Sequence, residues 1–192
     1  MTAVPELTPL RFDPDPPRFR QVLGHFCTGV TVITTADADG PAGFACQSFA
    51  ALSLEPPLVL FCPSRSSATW PRIERAGHFC ANVLASDQSE LARIFGTPGT
   101  DRFTGVRWSP SSSGAPVLDD ALTWVGCTVE TTQEAGDHYV VTGRVTDLGA
   151  CRAGEPLLFY RGRFAATAPH AAEGPPEVVD TMLAWPRHTD WI

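Results

Sequence analysis

Residues 44–63 read FACQSFAALSLEPPLVLFCP, and Glu55 is the only ionisable side chain among them apart from Cys46 and Cys62. A run this poor in charge has to be buried on at least one face, yet its small residues are interrupted by Gln47, Ser48 and Ser53. Two arrangements satisfy that pattern. One is ordinary core; the other is a backbone laid against a flat polar ligand, with small side chains permitting close approach. Pro56 and Pro57 then launch residues 58–62, a uniformly apolar run that reads as a central strand buried on both faces.

The flanking chain is a series of short strands punctuated by turns. From Pro16, PPRFRQVLGHFC sets Phe19, Val22, Leu23 and Phe26 at helical spacing. Residues 30–35, VTVITT, alternate as a β-branched strand, and the turn at 37–41 returns the chain antiparallel into 43–49. PSRSSATWPRIERAG predicts a short helix capped by Ser64, followed by a strand at 78–84. Asp87 and Glu90 have capping-box spacing before a helix carrying Leu91, Ile94 and Phe95, with Arg93 on its other side. Residues 96–118 are rich in loop formers; 121–132 and 138–148 alternate as strands around the turn at 134–137, and a strand at 157–164 closes the series. The pattern predicts a mainly β chain: an antiparallel barrel of about six strands with a few peripheral helices.

At 192 residues the chain has room for one well-buried domain, expected at 16–164. Residues 1–15 are expected to be loose, and 165–192 form an Ala/Pro linker and a tail whose Trp185 and Trp191 predict docking on a surface. A net charge of -7 argues against nucleic-acid or anionic-membrane partners. All fourteen cationic side chains are Arg, which removes lysine Schiff-base chemistry. Six cysteines without C-x-x-C spacing predict neither a disulfide framework nor a metal site. The first residues have neither an apolar core nor a basic lead, so the expected location is the cytoplasm.

No two glycines stand two apart, which excludes the G-x-G-x-x-G loop, and neither H-E-x-x-H nor G-x-S-x-G occurs. Three weaker signals remain. Ser64, Arg65, Ser66, Ser67, Ala68 and Thr69 head a predicted helix after a strand, which suits a phosphate site or an ordinary serine cap. Gly136-Asp137-His138 places a histidine where a turn feeds a strand, a structural or a functional position. Phe159, Tyr160, Arg161 and Gly162 combine an aromatic edge with a cation, fit for a dinucleotide or for a plain edge strand.

Taken together, HFCTGVTVITT, GFACQSFAALSLEPPLVLFCP, SSATWPRIE, FCANVLA, DRFTGVRW, GDHYVVTGRV and PLLFYRGRF resemble the flavin reductase family that supplies reduced flavin to two-component monooxygenases. The likeness covers about residues 18–164 and is nearest to reductase partners of actinobacterial hydroxylases acting on aromatic rings, steroid degradation included. It implies an FMN-binding split barrel of Greek-key type, a homodimer, and NADH-dependent reduction of FMN, with FAD and NADPH as alternatives. It also implies a partner monooxygenase. Carried over by position, Ala45, Cys46, Gln47 and Ser48 match the wall that meets the flavin ring. Cys62, Pro63, Ser64, Ala68 and Thr69 match the ribityl and phosphate site, Arg93 a further phosphate contact. His138 with Phe159, Tyr160, Arg161 and Gly162 match the nicotinamide side. A pyridoxine-phosphate oxidase and a non-catalytic flavin-binding sensor are the rival readings.

Overall fold

The computed structural model describes residues 15–99 and 101–167. In chain order they form α1 (Pro16–Leu23), β1 (Thr28–Gly29), β2 (Thr31–Asp37), β3 (Gly40–Cys46), β4 (Ala50–Leu54), β5 (Pro57–Phe61), α2 (Trp70–Ala76) and β6 (His78–Val83). A 3-10 turn at Ser86–Gln88 leads into α3 (Ser89–Gly96), then β7 (Trp108–Pro110), β8 (Pro116–Leu118), β9 (Thr123–Ala135), β10 (His138–Leu148), β11 (Leu158–Tyr160) and β12 (Arg163–Ala165). Every strand pairing is antiparallel. Seven strands make one sheet in the order β3-β2-β6-β9-β10-β5-β4; β1-β11-β12 and β7-β8 are small satellites.

That strand order and the chain's reach together dictate curvature. The two edges, β3 and β4, are joined only by Gln47, Ser48 and Phe49. Laid flat, seven strands would hold their edges about 29 Å apart at roughly 4.8 Å per spacing, whereas four Cα steps reach at most about 15 Å. The sheet therefore curls until its edges nearly meet. Its interior confirms this: Ile33 of β2, Cys46 of β3, Val59 and Phe61 of β5, Phe79 and Ala81 of β6, Cys127 of β9 and Val141 of β10 share one buried cluster. Trp70 and Ile73 of α2 pack into the same cluster. Across the seam between the edges, the rings of Phe44 and Phe61 lie 6.2 Å apart.

β2 and β6 are the strands buried on both faces. Ile33 points into the barrel, while its neighbour Val32 joins Leu84, Phe95 and Leu118 in a second cluster under α3 and the 103–118 loop. β5 is next to an edge, and its burial alternates. The expectation that residues 58–62 form a doubly buried central strand is thus corrected. Leu58 and Leu60 face outward and are half-covered, and an apolar outer face hides the alternation that would have revealed them.

Three local readings are corrected as well. α2 starts at Trp70 with Thr69, not Ser64, at its N-cap, and the Ser67 hydroxyl just before it accepts from the amides of Thr69 (3.3 Å) and Trp70 (3.2 Å). Ser64 instead extends the β5–β10 pairing, bridged to His138. At the head of α3, Gln88 rather than Asp87 closes the turn, its side-chain oxygen accepting from the Ala85 amide at 3.0 Å, while Glu90 pairs with Arg93. The strand expected at 157–164 is a hairpin, because Arg161 (φ 49°) and Gly162 (φ 77°) turn the chain through left-handed conformations. β4 was not expected at all. The loose segment at 1–15 and the docking tail lie almost wholly outside the described residues. No helix among the described residues is long and apolar enough to cross a membrane.

Candidate active site

The seam is where the barrel is least complete, and a cavity of about 510 Å3 opens there. One wall is the run from Phe44 to Ser48, where β3 leaves the sheet; the other is Cys62, Ser64 and Ser67 beyond the end of β5. Ser48 ties the walls together. Its hydroxyl accepts from the Cys62 amide at 2.8 Å, donates back to the Cys62 carbonyl at 3.3 Å, and lies 3.3 Å from the Cys46 sulfur. Burial pushes the Cys46 thiol above its ordinary pKa, so this sulfur packs and is not poised as a thiolate.

His138 reaches the same cavity because β10 begins beside the extension of β5. The Tyr139 amide donates to the Pro63 carbonyl and the Arg65 amide to the Asp137 carbonyl, each at 2.9 Å. The Asp137 carboxylate lies 2.8 Å from His138 Nδ1, and this contact holds it below its usual pKa. With Nδ1 engaged, Nε2 is the ring atom left to meet a ligand. Gln47, exposed at the mouth, makes no side-chain hydrogen bond among the described residues.

The deepest electrostatic feature is one to which no role was assigned from the sequence. Arg102 lines the cavity, and its guanidinium is held by neutral oxygens: Nη1 donates to the Gly43 carbonyl (2.6 Å) and the Thr69 hydroxyl (3.2 Å), Nε to the Thr97 carbonyl (3.1 Å). No carboxylate among the described residues pairs with it, and burial lowers its pKa. The adjacent Asp101 is turned away, accepting from the Phe103 amide and the Thr104 hydroxyl. The backbone that supplies this carbonyl is tightly packed, since a Cβ at Gly43 would meet Phe95 at 2.9 Å and the Ile33 carbonyl at 3.0 Å. An uncompensated, half-buried guanidinium with a spare Nη2 is an anion site. The available signal was the DRF triplet in a loop, which carries no periodicity.

The expected site residues separate into neighbouring hollows. Ala45, Cys46, Gln47, Ser48, Cys62, Ser64 and His138 meet in the seam cavity. Pro63 contributes its carbonyl to the strand pairing and does not line the cavity. Ala68 and Thr69 line a second cavity, of about 700 Å3, on the far side of Arg102. Arg93 and Phe159 line a third, which shares Ala45, Cys46 and Gln47 with the first; there Arg93 sits 5.4 Å from the ring of Phe164 and pairs with Glu90. Tyr160 and Arg161 border a fourth, and Arg161 and Gly162 also face a cleft against α1. Within one chain His138 and the turn carrying Gly162 therefore lie in different hollows.

A family description of the flavin reductase like domain matches residues 23–168. The reductase subunit HsaB of a flavin-dependent monooxygenase from Rhodococcus jostii is 54% identical over 155 residues, spanning 81% of this chain and 80% of that protein. Among solved structures, a homologue of nitrilotriacetate monooxygenase component B from Mycobacterium thermoresistibile superposes with a TM-score of 0.78 at 46% identity, covering 85% of this chain and 94% of that one. The NADH:FAD oxidoreductase SgcE6 of Streptomyces globisporus, solved with NAD and FAD fragments, reaches 0.78 at 36% identity, covering 82% and 95%. With the curled antiparallel sheet and its seam cavity, these matches place the chain in the flavin reductase like family.

Proposed function

We propose that this chain reduces flavin with NADH and passes the reduced flavin to a partner monooxygenase. The observation that carries the reading is the seam cavity itself: a wall of small residues at 45–48, an unpaired guanidinium at one end and a histidine with one free nitrogen at the rim. The residues fit a flavin. The backbone beside Ala45 and Cys46 admits a flat ring, Gln47 offers an unused amide at its polar edge, and Ser64, Ser67 and Arg102 offer hydroxyls and charge to a phosphate.

When bound, the flavin supplies the hydride-accepting ring and the nicotinamide the hydride. The chain's residues position and stabilise. Backbone amides along 46–48 and the Gln47 side chain would hold the polar edge of the ring, and Arg102 would anchor the phosphate. His138, oriented by Asp137, holds the nicotinamide end through Nε2. No nucleophile is required, in keeping with a buried, neutral Cys46.

FMN is the expected flavin, with FAD as the alternative, and NADH the expected donor, with NADPH as the alternative. The apolar residues of α1 and the turn after it, with Phe19, Val22, Leu23 and Phe26 all at least half exposed, favour a second copy of the chain as their cover. The test mixes purified protein with NADH and excess FMN and follows NADH absorbance with and without oxygen. Flavin-dependent NADH consumption is expected in both. Flavin binding without NADH consumption would sink the proposal, and sedimentation at micromolar concentration as a monomer would remove the dimer.

A further inference from the structure

All six cysteines are free, and they fall into three pairs of different character. Cys80 and Cys127 are fully buried within the sheet, and burial pushes both thiols up to about 12, beyond ordinary thiol chemistry. Cys27 and Cys151 stand exposed on separate loops. Cys46 and Cys62 differ from both pairs, because they line the seam cavity from its two opposite walls.

One hydroxyl sits between these two. Ser48 Oγ is 3.3 Å from the Cys46 sulfur and accepts from the Cys62 amide at 2.8 Å, so that sulfur lies no more than about 6 Å from the Cys62 nitrogen. The same amide reaches towards the Cys46 sulfur itself, and the Cys62 thiol is near enough to oppose its ionisation. Cys46 is the last residue of β3 and Cys62 the first beyond β5. No ladder hydrogen bond crosses the seam between them. Flavin reduction uses neither thiol, yet both stand where the ring would lie. Reduced flavin that meets dioxygen instead of a partner enzyme returns to oxidised flavin and yields hydrogen peroxide, so this wall is exposed to that oxidant at its source.

Resting on the reading of the seam as the flavin site, we propose that Cys46 and Cys62 are a peroxide-sensitive thiol pair whose disulfide closes that site. Cys62, the less buried of the two, attacks the peroxide; its sulfur takes one oxygen as a sulfenic acid and water leaves. The Cys46 sulfur then displaces that hydroxyl as a second water and forms the S–S bond. Two thiols and one peroxide thus become one disulfide and two waters, with two electrons passing from sulfur to oxygen. The bond ties the two walls together across the cavity and shuts flavin out until a thiol reductant restores the pair. Electrons that the partner fails to use then switch off their own supply.

The experiment treats the reduced, purified chain with graded hydrogen peroxide, caps the remaining thiols with iodoacetamide, and measures NADH oxidation with excess FMN. Chymotryptic peptides are read in parallel by mass spectrometry, since cleavage after Phe49 and Phe61 separates the two cysteines. A cross-linked pair of peptides carrying Cys46 and Cys62 and lacking two hydrogens is expected, with a loss of about tenfold or more in flavin reduction in step with it, and dithiothreitol should reverse both. Cys62→Ala, compared with its own untreated activity, should lose less than about twofold under the same peroxide. The peptide readout on the natural chain stands whether or not that variant folds. Cross-links through Cys27 or Cys151 in place of this pair, or none at all, overturn the proposal. A Cys46–Cys62 disulfide that leaves NADH consumption unchanged overturns it too, as does an equal, reversible loss in Cys62→Ala. Each of these leaves the flavin reading standing. An untreated chain that neither binds flavin nor consumes NADH removes the flavin reading, and the switch with it.

Discussion

Two polar clusters sit within this fold and are treated in opposite ways. At the centre of the sheet, fully buried Asn82 donates to the carbonyls of Val32 (3.1 Å) and Pro116 (3.3 Å) and to the Thr34 hydroxyl (3.2 Å), and its oxygen accepts from the Leu118 amide (2.8 Å). Thr34 in turn donates to the carbonyls of Cys80 and Pro116. That cluster is closed. At the seam, Gln47 has an unused amide, Arg102 a charge without a carboxylate, and His138 a free ring nitrogen. Gln47 and His138 are exposed, so the contrast rests on Arg102, a half-buried charge beside a cavity with no carboxylate among the described residues to meet it. Side-chain amide and hydroxyl thus spend their hydrogen bonds on the structure in one place and keep some in reserve in the other.

Removing a member of the closed cluster is the hardest test of that contrast. Asn82→Ala leaves the buried Leu118 amide without its acceptor and removes a donor from the carbonyls of Val32 and Pro116, and should cost about 3 kcal/mol of stability, read from urea unfolding, without changing flavin affinity in the protein that remains folded. A loss below about 1 kcal/mol would mean that the cluster is not closed in the sense argued. Arg102→Met is the matching test at the seam: FMN affinity should fall by about ten- to a hundredfold, riboflavin affinity should hold, and the unfolding midpoint should move less than in Asn82→Ala. Equal losses for FMN and riboflavin would show that Arg102 shapes the wall instead of binding the phosphate. His138→Ala should raise KM for NADH about tenfold with kcat kept within a few-fold, and a loss confined to kcat would make the ring a participant in the chemistry.

A smaller effect separates the two kinds of arginine. Asp37 accepts from Arg72 and Arg75, chiefly from Arg72, and its carboxyl is held well below the ordinary value of 3.8. Because the folded group titrates lower than the unfolded one, the stability it contributes is present above pH 3.8 and is lost as the pH falls towards the folded-state pKa. The stability gap between the natural chain and Asp37→Asn should therefore be constant from pH 7 to 5 and narrow in acid. A gap that persists undiminished at pH 2 would place the effect in packing.

The strands were legible because alternation and turn composition are local. The hairpin of β2 and β3, the pair β9 and β10, and β6 all lie within a few residues of where VTVITT, the turn at 134–137 and the run at 78–84 put them. β4 and the position of β5 in the sheet were not legible. Both depend on which distant strand lies alongside, and residues 50–54, AALSL, show no alternation because the strand has an exposed outer edge and a bulge against β5. In the site, the run at 45–48 stood out because its small residues are interleaved with hydrogen-bonding ones, which left core and ligand wall as alternatives; its match to a flavin wall, like that of His138 to the nicotinamide side, came from the family resemblance. Arg102 escaped for a physical reason: what distinguishes it is the absence of a carboxylate nearby, and an absence in space leaves no trace in the chain. The same holds for Ser64, whose neighbours named it a helix cap while its pairing with His138 made it the continuation of a strand.

The three-residue corner at 47–49 also couples the cycle to the fold's own integrity. β3 and β4 are the free edges of the sheet, and the hydroxyl of Ser48 is what links one to the backbone beside the other. A ligand bound along that seam touches both the end of β3 and the chain beyond β5, so occupancy and the joining of these walls are thermodynamically linked, and binding stabilises the fold by RT ln(1 + [L]/Kd). Under the proposed function, flavin that leaves for the partner takes that support with it. Amide hydrogens at the ends of β3 and β5 should then exchange with solvent at a rate set by free flavin in the cell, which makes the barrel's tightness a gauge of how much flavin is waiting to be reduced.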